Sequence, residues 1–151
     1  MSTHLDRAIA LRWVIALLVC VGLIAQAQAI RAEETQTLVV HLNSDDVWTG
    51  QMGLGFAQRV LEDGHPVVVF LSVRAVTLAN TAVPPHTEAL TGKTSHEMIA
   101  DVLEKGGRVF VCPSCTRQAG LSTDTLVEGV EVGSKEWRDI LMAPGTRVIE
   151  L

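Results

Sequence analysis

The sequence is short of positive charge: 12 lysines and arginines stand against 17 aspartates and glutamates, a net charge of −5 over 151 residues. A nucleic-acid partner would want a basic face, so that class is set aside. No block of like charges is present to make an interaction tail. The longest uncharged apolar run, Trp13 to Ile24, falls short of the roughly 20 residues that span a bilayer comfortably. There is no internal repeat, no low-complexity tract and no sign of a second domain. Cysteine is scarce, with only Cys20, Cys112 and Cys115. What remains is a chain that is 48% hydrophobic and 19% charged, enough apolar material for one domain with a real core.

Part of that apolar excess belongs to a leader. Residues 1–29 have the parts of a signal peptide: Arg7 and Arg12 ahead of the apolar run, then Ala27-Gln28-Ala29 as a small-x-small cleavage site. Ala25-Gln26-Ala27 is a second choice of site. Because no charge falls between Arg12 and Arg31, the alternative is an uncleaved anchor through residues 13–30. Val19 before Cys20 argues against a lipoprotein, where a small residue is expected. The expected location is therefore periplasmic or secreted, or membrane-anchored if the leader stays. Cleavage removes Cys20 and leaves residues 30–151 with a single cysteine pair.

The rest of the chain alternates between two periodicities. Thr37 to Leu42, Val67 to Leu71, Arg108 to Val111, Val130 to Val132 and Arg147 to Leu151 read as strands. The unbroken Val67-Val-Val-Phe-Leu71 run suits a parallel sheet covered on both faces. Between strands, helical spacing sets in. From Val47 the apolar residues Met52, Phe56 and Val60 fall at i, i+4 and i+8, flanked by Ala57 and Leu61. Thr94-Ser-His-Glu97 has the form of a capping box ahead of Met98, Ile99, Val102 and Leu103. Ser134 can cap a helix bearing Trp137, Ile140 and Leu141. The alternation predicts a three-layer α/β/α domain with a mostly parallel sheet of about five strands.

One feature carries chemistry: Cys112-Pro113-Ser114-Cys115, where the third strand gives way to a helix. Sites in open parallel sheets form beyond the carboxyl ends of strands. A helix beginning just after Cys112 favours its thiolate, and Pro113 fits the first helical position. Cys115, one turn on, can attack or seal whatever forms on Cys112. Other readings compete: a structural disulfide, half of a metal site, inert core cysteines, or thioredoxin-like exchange. A bridge closing so short a loop stabilises little. His41, His65, His86 and His96 lack ligand-like spacing to the pair, so no metal and no cofactor is expected.

The stretch Val109-Phe-Val-Cys-Pro-Ser-Cys-Thr-Arg-Gln-Ala-Gly-Leu121 resembles the strand, reactive cysteine and downstream glycine of the DsrE/TusD/YchN-type sulfur-relay proteins. Gly64-His65-Pro66-Val67 and Leu126-Val127-Glu128-Gly129-Val130 agree in order, so the likeness covers nearly all of residues 37–151. It implies a flavodoxin-like fold, a homo-oligomer, and sulfur carried as a persulfide on one cysteine. By position Cys112 matches that carrier, and Cys115 a second cysteine that some members have. Two departures stand out. Ala119 occupies a place where relatives often have arginine, which removes an anion contact from that position. The familiar relatives are also cytoplasmic, whereas this chain reads as exported. The implied partners are a sulfur donor or acceptor protein or a small thiol, the membrane only if the leader is kept. The implied activity is that of a sulfurtransferase or sulfur carrier. The alternatives are a non-catalytic module of the same fold with a locked disulfide, and a thiol–disulfide oxidoreductase.

His41 is a further candidate, at the end of the first strand, where it could share a proton with the Cys112 thiol. Asn43 and Ser44 could face the same crevice. Asp45 and Asp46 read as helix N-terminal residues, His65 as part of a turn, and His86 and His96 as solvated. Trp48 and Trp137 read as packing or oligomer residues. Gly50, Gly53 and Gly55 do not form a phosphate loop, because they fall inside a helix with no strand-Gly-x-Gly turn before them; close helix packing explains them better.

Overall fold

The computed structural model describes residues 36–151, and there the β-branched runs assemble into one sheet. Strands β1 (Leu38–Leu42), β2 (Val67–Leu71), β3 (Arg108–Val111), β4 (Glu131–Val132) and β5 (Arg147–Glu150) lie in the order β4-β3-β2-β1-β5. Every pairing among them is parallel. The chain steps outward from β1 to β4, then returns across the sheet to set β5 on the free flank of β1. The leader at residues 1–29, cleaved or retained, lies outside the described residues. Within them, no helix is long and apolar enough to cross a membrane.

Side chains alternate across a strand, so the sheet presents two apolar faces. Val40, Leu42, Val69, Leu71, Val109 and Val111 look toward α1 (Val47–Glu62), α2 (Ser95–Glu104) and α3 (Pro113–Gln118). Val39, Val68 and Phe110 look the other way, onto Trp137, Ile140 and Leu141 of α4 (Lys135–Leu141). This is the expected three-layer α/β/α, flavodoxin-like architecture, with the sheet wholly rather than mostly parallel. Fully burying one of these aliphatic or aromatic side chains is worth about 1.5–3 kcal/mol, so the core is built from many such increments.

Local chemistry starts and stops the helices where the sequence indicates. Asp46 caps α1 by accepting the Thr49 N–H at 2.9 Å, and this backbone bond is the main cause holding its carboxyl below the usual range. Thr94 and Glu97 form the capping box at the start of α2, and Ser134 caps α4. Between β2 and α2 a short 3-10 helix, Ala75–Ala79, buries four of its five residues.

The inward face of α1 differs from the expectation. Met52 and Phe56 are exposed, as is Trp48 one turn earlier, so this row of large side chains points to solvent. The buried positions are Gly50, Gly53, Leu54 and Ala57. Close approach explains the exchange: a Cβ at Gly53 would lie 2.5 Å from a methyl carbon of the fully buried Leu42. The helix rests on the sheet through its smallest residues. Trp137, by contrast, is a packing residue, stacked on Phe70 with ring centroids 4.3 Å apart.

Candidate functional site

The carboxyl end of β3 runs directly into α3, and Cys112 is the joint. Its N–H donates to the Leu71 carbonyl at 2.8 Å, keeping the residue on the sheet. Its carbonyl accepts from the Thr116 N–H at 3.0 Å and from the Thr116 hydroxyl at 2.9 Å. Thr116 is fully buried, so the first turn of α3 is pinned from beneath. Pro113 takes the first helical position, and Gly120 ends the helix at φ +72°. A helix of this length does not hold itself together in water; packing does it.

The two sulfurs sit side by side, both free and both half-buried. The Cys115 N–H points at the Cys112 sulfur, 3.4 Å away. Partial burial pushes the Cys112 thiol up. The Cys115 side chain, the N–H groups of Cys115 and Ser114 and the charge of Arg117 outweigh it, leaving Cys112 below the ordinary thiol value. Cys115 moves the opposite way, raised by burial first and then by its side-chain bond to Cys112 and the Cys112 charge, which outweigh the nearby backbone N–H groups. The pair is therefore polarised, with Cys112 the readier of the two to ionise and Cys115 the less ready. The positive charge acting on Cys112 is that of Arg117.

Val73, just past β2, has φ +50°, the one non-glycine residue with positive φ among those described. A β-branched residue in this region costs of order 1–3 kcal/mol. Nothing in the sequence marks it, because valine is among the residues least suited to such a turn.

His41 does not join the cysteines. It lies one residue out of phase with Val40 and Leu42 and stands against Phe70, its ring centroid 5.4 Å from that ring. Its Nε2 is 2.6 Å from the Ser72 hydroxyl, and its Nδ1 is 4.0 Å from a Glu150 carboxylate oxygen. β2 stands between it and β3. Asn43 donates to Glu150 at 2.9 Å, Ser44 accepts the Asp46 N–H, and Asp45 pairs with Arg74 at 2.8 Å. His65 and His86 are exposed. His96 is not solvated as expected: burial lowers its pKa, and its Nε2 has no hydrogen-bond partner. Among the described residues, no three His, Cys, Asp or Glu side chains gather as a metal set would.

Two adjacent free cysteines at a strand end of a wholly parallel three-layer sheet define the class structurally: a flavodoxin-like α/β domain with a thiol pair at the sheet's mouth. Comparison with known proteins narrows the class. Residues 38–151 match the model of the DsrE/DsrF-like family, and the chain belongs to that family, whose proteins generally act in sulfur relay with partner proteins. Among solved structures it is similar to the ychN protein from E. coli, at 21% identity over 78% of this chain and 99% of that one, TM-score 0.63. It is also similar to MTH1491, a protein of unknown function from Methanobacterium thermoautotrophicum, at 18% identity over 77% and 99%, TM-score 0.62. A third, BT1422 from Bacteroides thetaiotaomicron, is 16% identical over 77% and 95%, TM-score 0.55. No curated protein matches the sequence.

Proposed function

We propose that this protein carries sulfane sulfur as a persulfide on Cys112 and passes it to a partner protein or small thiol. The observation that carries the reading is the polarised pair: a half-buried Cys112 sulfur that accepts an N–H bond from Cys115 and lies below the ordinary thiol pKa. In loading, the Cys112 thiolate attacks the outer sulfur of a donor persulfide. A new S–S bond forms, the donor's S–S bond breaks, and the donor leaves as its thiolate. Transfer to an acceptor thiolate repeats the exchange in reverse. When no acceptor takes the sulfur, Cys115 as its thiolate attacks the inner sulfur: the Cys112–Cys115 disulfide forms, the outer sulfur leaves as hydrosulfide, and a small thiol or dithiol partner restores the pair.

The same reading places the protein outside the cytoplasm, periplasmic or secreted, or anchored through residues 13–30, on the strength of the Arg7–Ala29 pattern. Self-association belongs to it as well, and the exposed Trp48, Met52 and Phe56 row supports that. Mass spectrometry of the intact protein after incubation with inorganic polysulfide tests the central step. Wild type gains the mass of sulfur on Cys112, Cys112→Ser does not, and Cys115→Ser holds the added sulfur longer. A wild-type Cys112 that stays unmodified overturns the proposal.

A further inference from the structure

We infer that Asn80 is a positioning residue for the cysteine pair: its buried amide fixes the chain leaving α3, and so keeps Cys115 where it can bond to Cys112. The inference rests on the persulfide reading and adds the residue that sets how readily Cys115 discharges a loaded Cys112.

Asn80 is fully buried, one residue past the 3-10 helix Ala75–Ala79. Its Nδ2 donates to the Ser122 carbonyl at 2.8 Å. Its Oδ1 accepts the Ala82 N–H at 3.0 Å and the Thr125 hydroxyl at 2.9 Å. A backbone carbonyl can only accept and a backbone N–H can only donate, so the amide has a single orientation. Neither an ionised carboxylate nor an apolar isostere could make the same set. Backbone bonds lace the two loops together beside it. The Thr81 N–H meets the Thr125 carbonyl at 2.7 Å, and the Val127 N–H meets the Ala79 carbonyl at 2.8 Å. The lacing reaches Thr125 and Val127; the Asn80 amide extends it to Ser122, three residues nearer the cysteines.

From there a chain of bonds runs to the thiols. Leu121, the neighbour of Ser122, donates its N–H to the Thr116 carbonyl at 3.0 Å. Thr116 gives its own N–H and its hydroxyl to the Cys112 carbonyl. With six residues, α3 cannot hold its own shape, so both ends are fixed from outside. Cys112 on β3 fixes the first end and the Asn80 clamp fixes the last. Cys115 stands between them, its N–H directed at the Cys112 sulfur. In unloading, the Cys115 thiolate attacks the inner sulfur of the persulfide. The Cys112–Cys115 bond forms, the outer sulfur leaves with the electron pair as hydrosulfide, and a small thiol later reduces the bridge. A frayed α3 lets Cys115 wander and lowers its effective concentration at that sulfur.

Two measurements on the full-length chain test this. The first is the ratio of bridged to reduced pair in a fixed mixture of reduced and oxidised glutathione, read by peptide mass spectrometry; it needs no loading. The second is hydrosulfide release from polysulfide-loaded protein without an acceptor. Asn80→Asp keeps the shape and both accepted bonds but loses the donor to Ser122. The bridged ratio and the release rate should each fall about fivefold, the size of one hydrogen bond. Thr125→Val removes the hydroxyl that binds both Oδ1 and the Ser122 carbonyl, and should move both readouts the same way, about twofold. Ile99→Val trims the core away from the clamp, and should lower the melting temperature with the ratio unmoved. If Asn80→Asp melts earlier while its ratio stays at the wild-type value, the positioning role is overturned. Should Asn80→Asp fail to fold, an unmoved ratio in Thr125→Val overturns it equally. A wild type that takes no sulfur overturns the carrier reading instead, and the glutathione arm still decides Asn80.

Discussion

On one face of the sheet three helices and a buried 3-10 turn lie against Val40, Val69 and Val111; on the other, among the described residues, α4 alone covers Val39, Val68 and Phe110. The thicker side also carries the cysteines, which pack against its core. The difference teaches where a reactive thiol can be held. A six-residue helix such as α3 has no stability of its own, so its first turn is fixed only where buried neighbours, Thr116 foremost, hold it. The thin side has no such reserve and rests largely on one indole.

Removing that indole is the largest available test of the contrast. Trp137→Ala should cost about 3–5 kcal/mol of unfolding free energy, measured by denaturant titration, because no second helix closes over the gap. Trimming one carbon from the thick side by Ile99→Val should cost only about 0.5–1.5 kcal/mol. Equal losses from the two would mean that the thin face is not held by the tryptophan.

A smaller effect is expected at the thiol. Arg117 is exposed and its charge is one of the influences that lower Cys112, so Arg117→Gln should raise the pH midpoint of Cys112 alkylation. At neutral pH the reaction should slow about two- to threefold, and the difference should shrink in high salt as screening removes the charge's reach. The sign carries over to stability. Folding lowers the Cys112 thiol pKa, so the stability this adds is present above the unfolded pKa and is lost as pH falls through the lowered folded one. An unmoved midpoint would leave the Cys115 side chain and the N–H groups of Cys115 and Ser114 to account for the lowering.

The smallest effect should come from the opposite face. His41→Gln can keep a hydrogen bond to Ser72 while removing the imidazole, and Cys112 alkylation should stay within about twofold of wild type at all pH values. A clear change in the profile would mean that the histidine reaches the thiol despite lying out of phase with it.

Much of this was legible in the residues themselves. The unbroken Val67–Leu71 run gave away a strand buried on both faces, and Thr94 with Glu97 announced a helix start that the structure reproduces bond for bond. The cysteine pair was legible too, because a strand, a proline at the first helical position and a glycine behind it leave little freedom in where Cys112 sits. Three things were not. Met52 and Phe56 look like a core stripe by spacing alone, and only the closeness of Gly53 to Leu42 shows that the helix turns its glycines inward. The alternation of side chains along β1 places His41 away from the thiols, but that depends on which strand neighbours which, a long-range fact. Val73 gives no local signal because its backbone is set by its neighbours' bonds and runs against its own preference.

The pairing of β1 with β5 has a consequence for assembly. Leu38 lies opposite Arg147, so the first and last strands of the sheet are neighbours, and the contact that joins them closes the largest loop in the domain. Until it forms, one side of Leu38–Leu42 is an open rim of unpaired amide groups, an apolar template to which a foreign strand could add. The slow, late step in acquiring the native state should therefore be the capture of Arg147–Glu150, and during that delay the domain is most exposed to sticking to others of its kind.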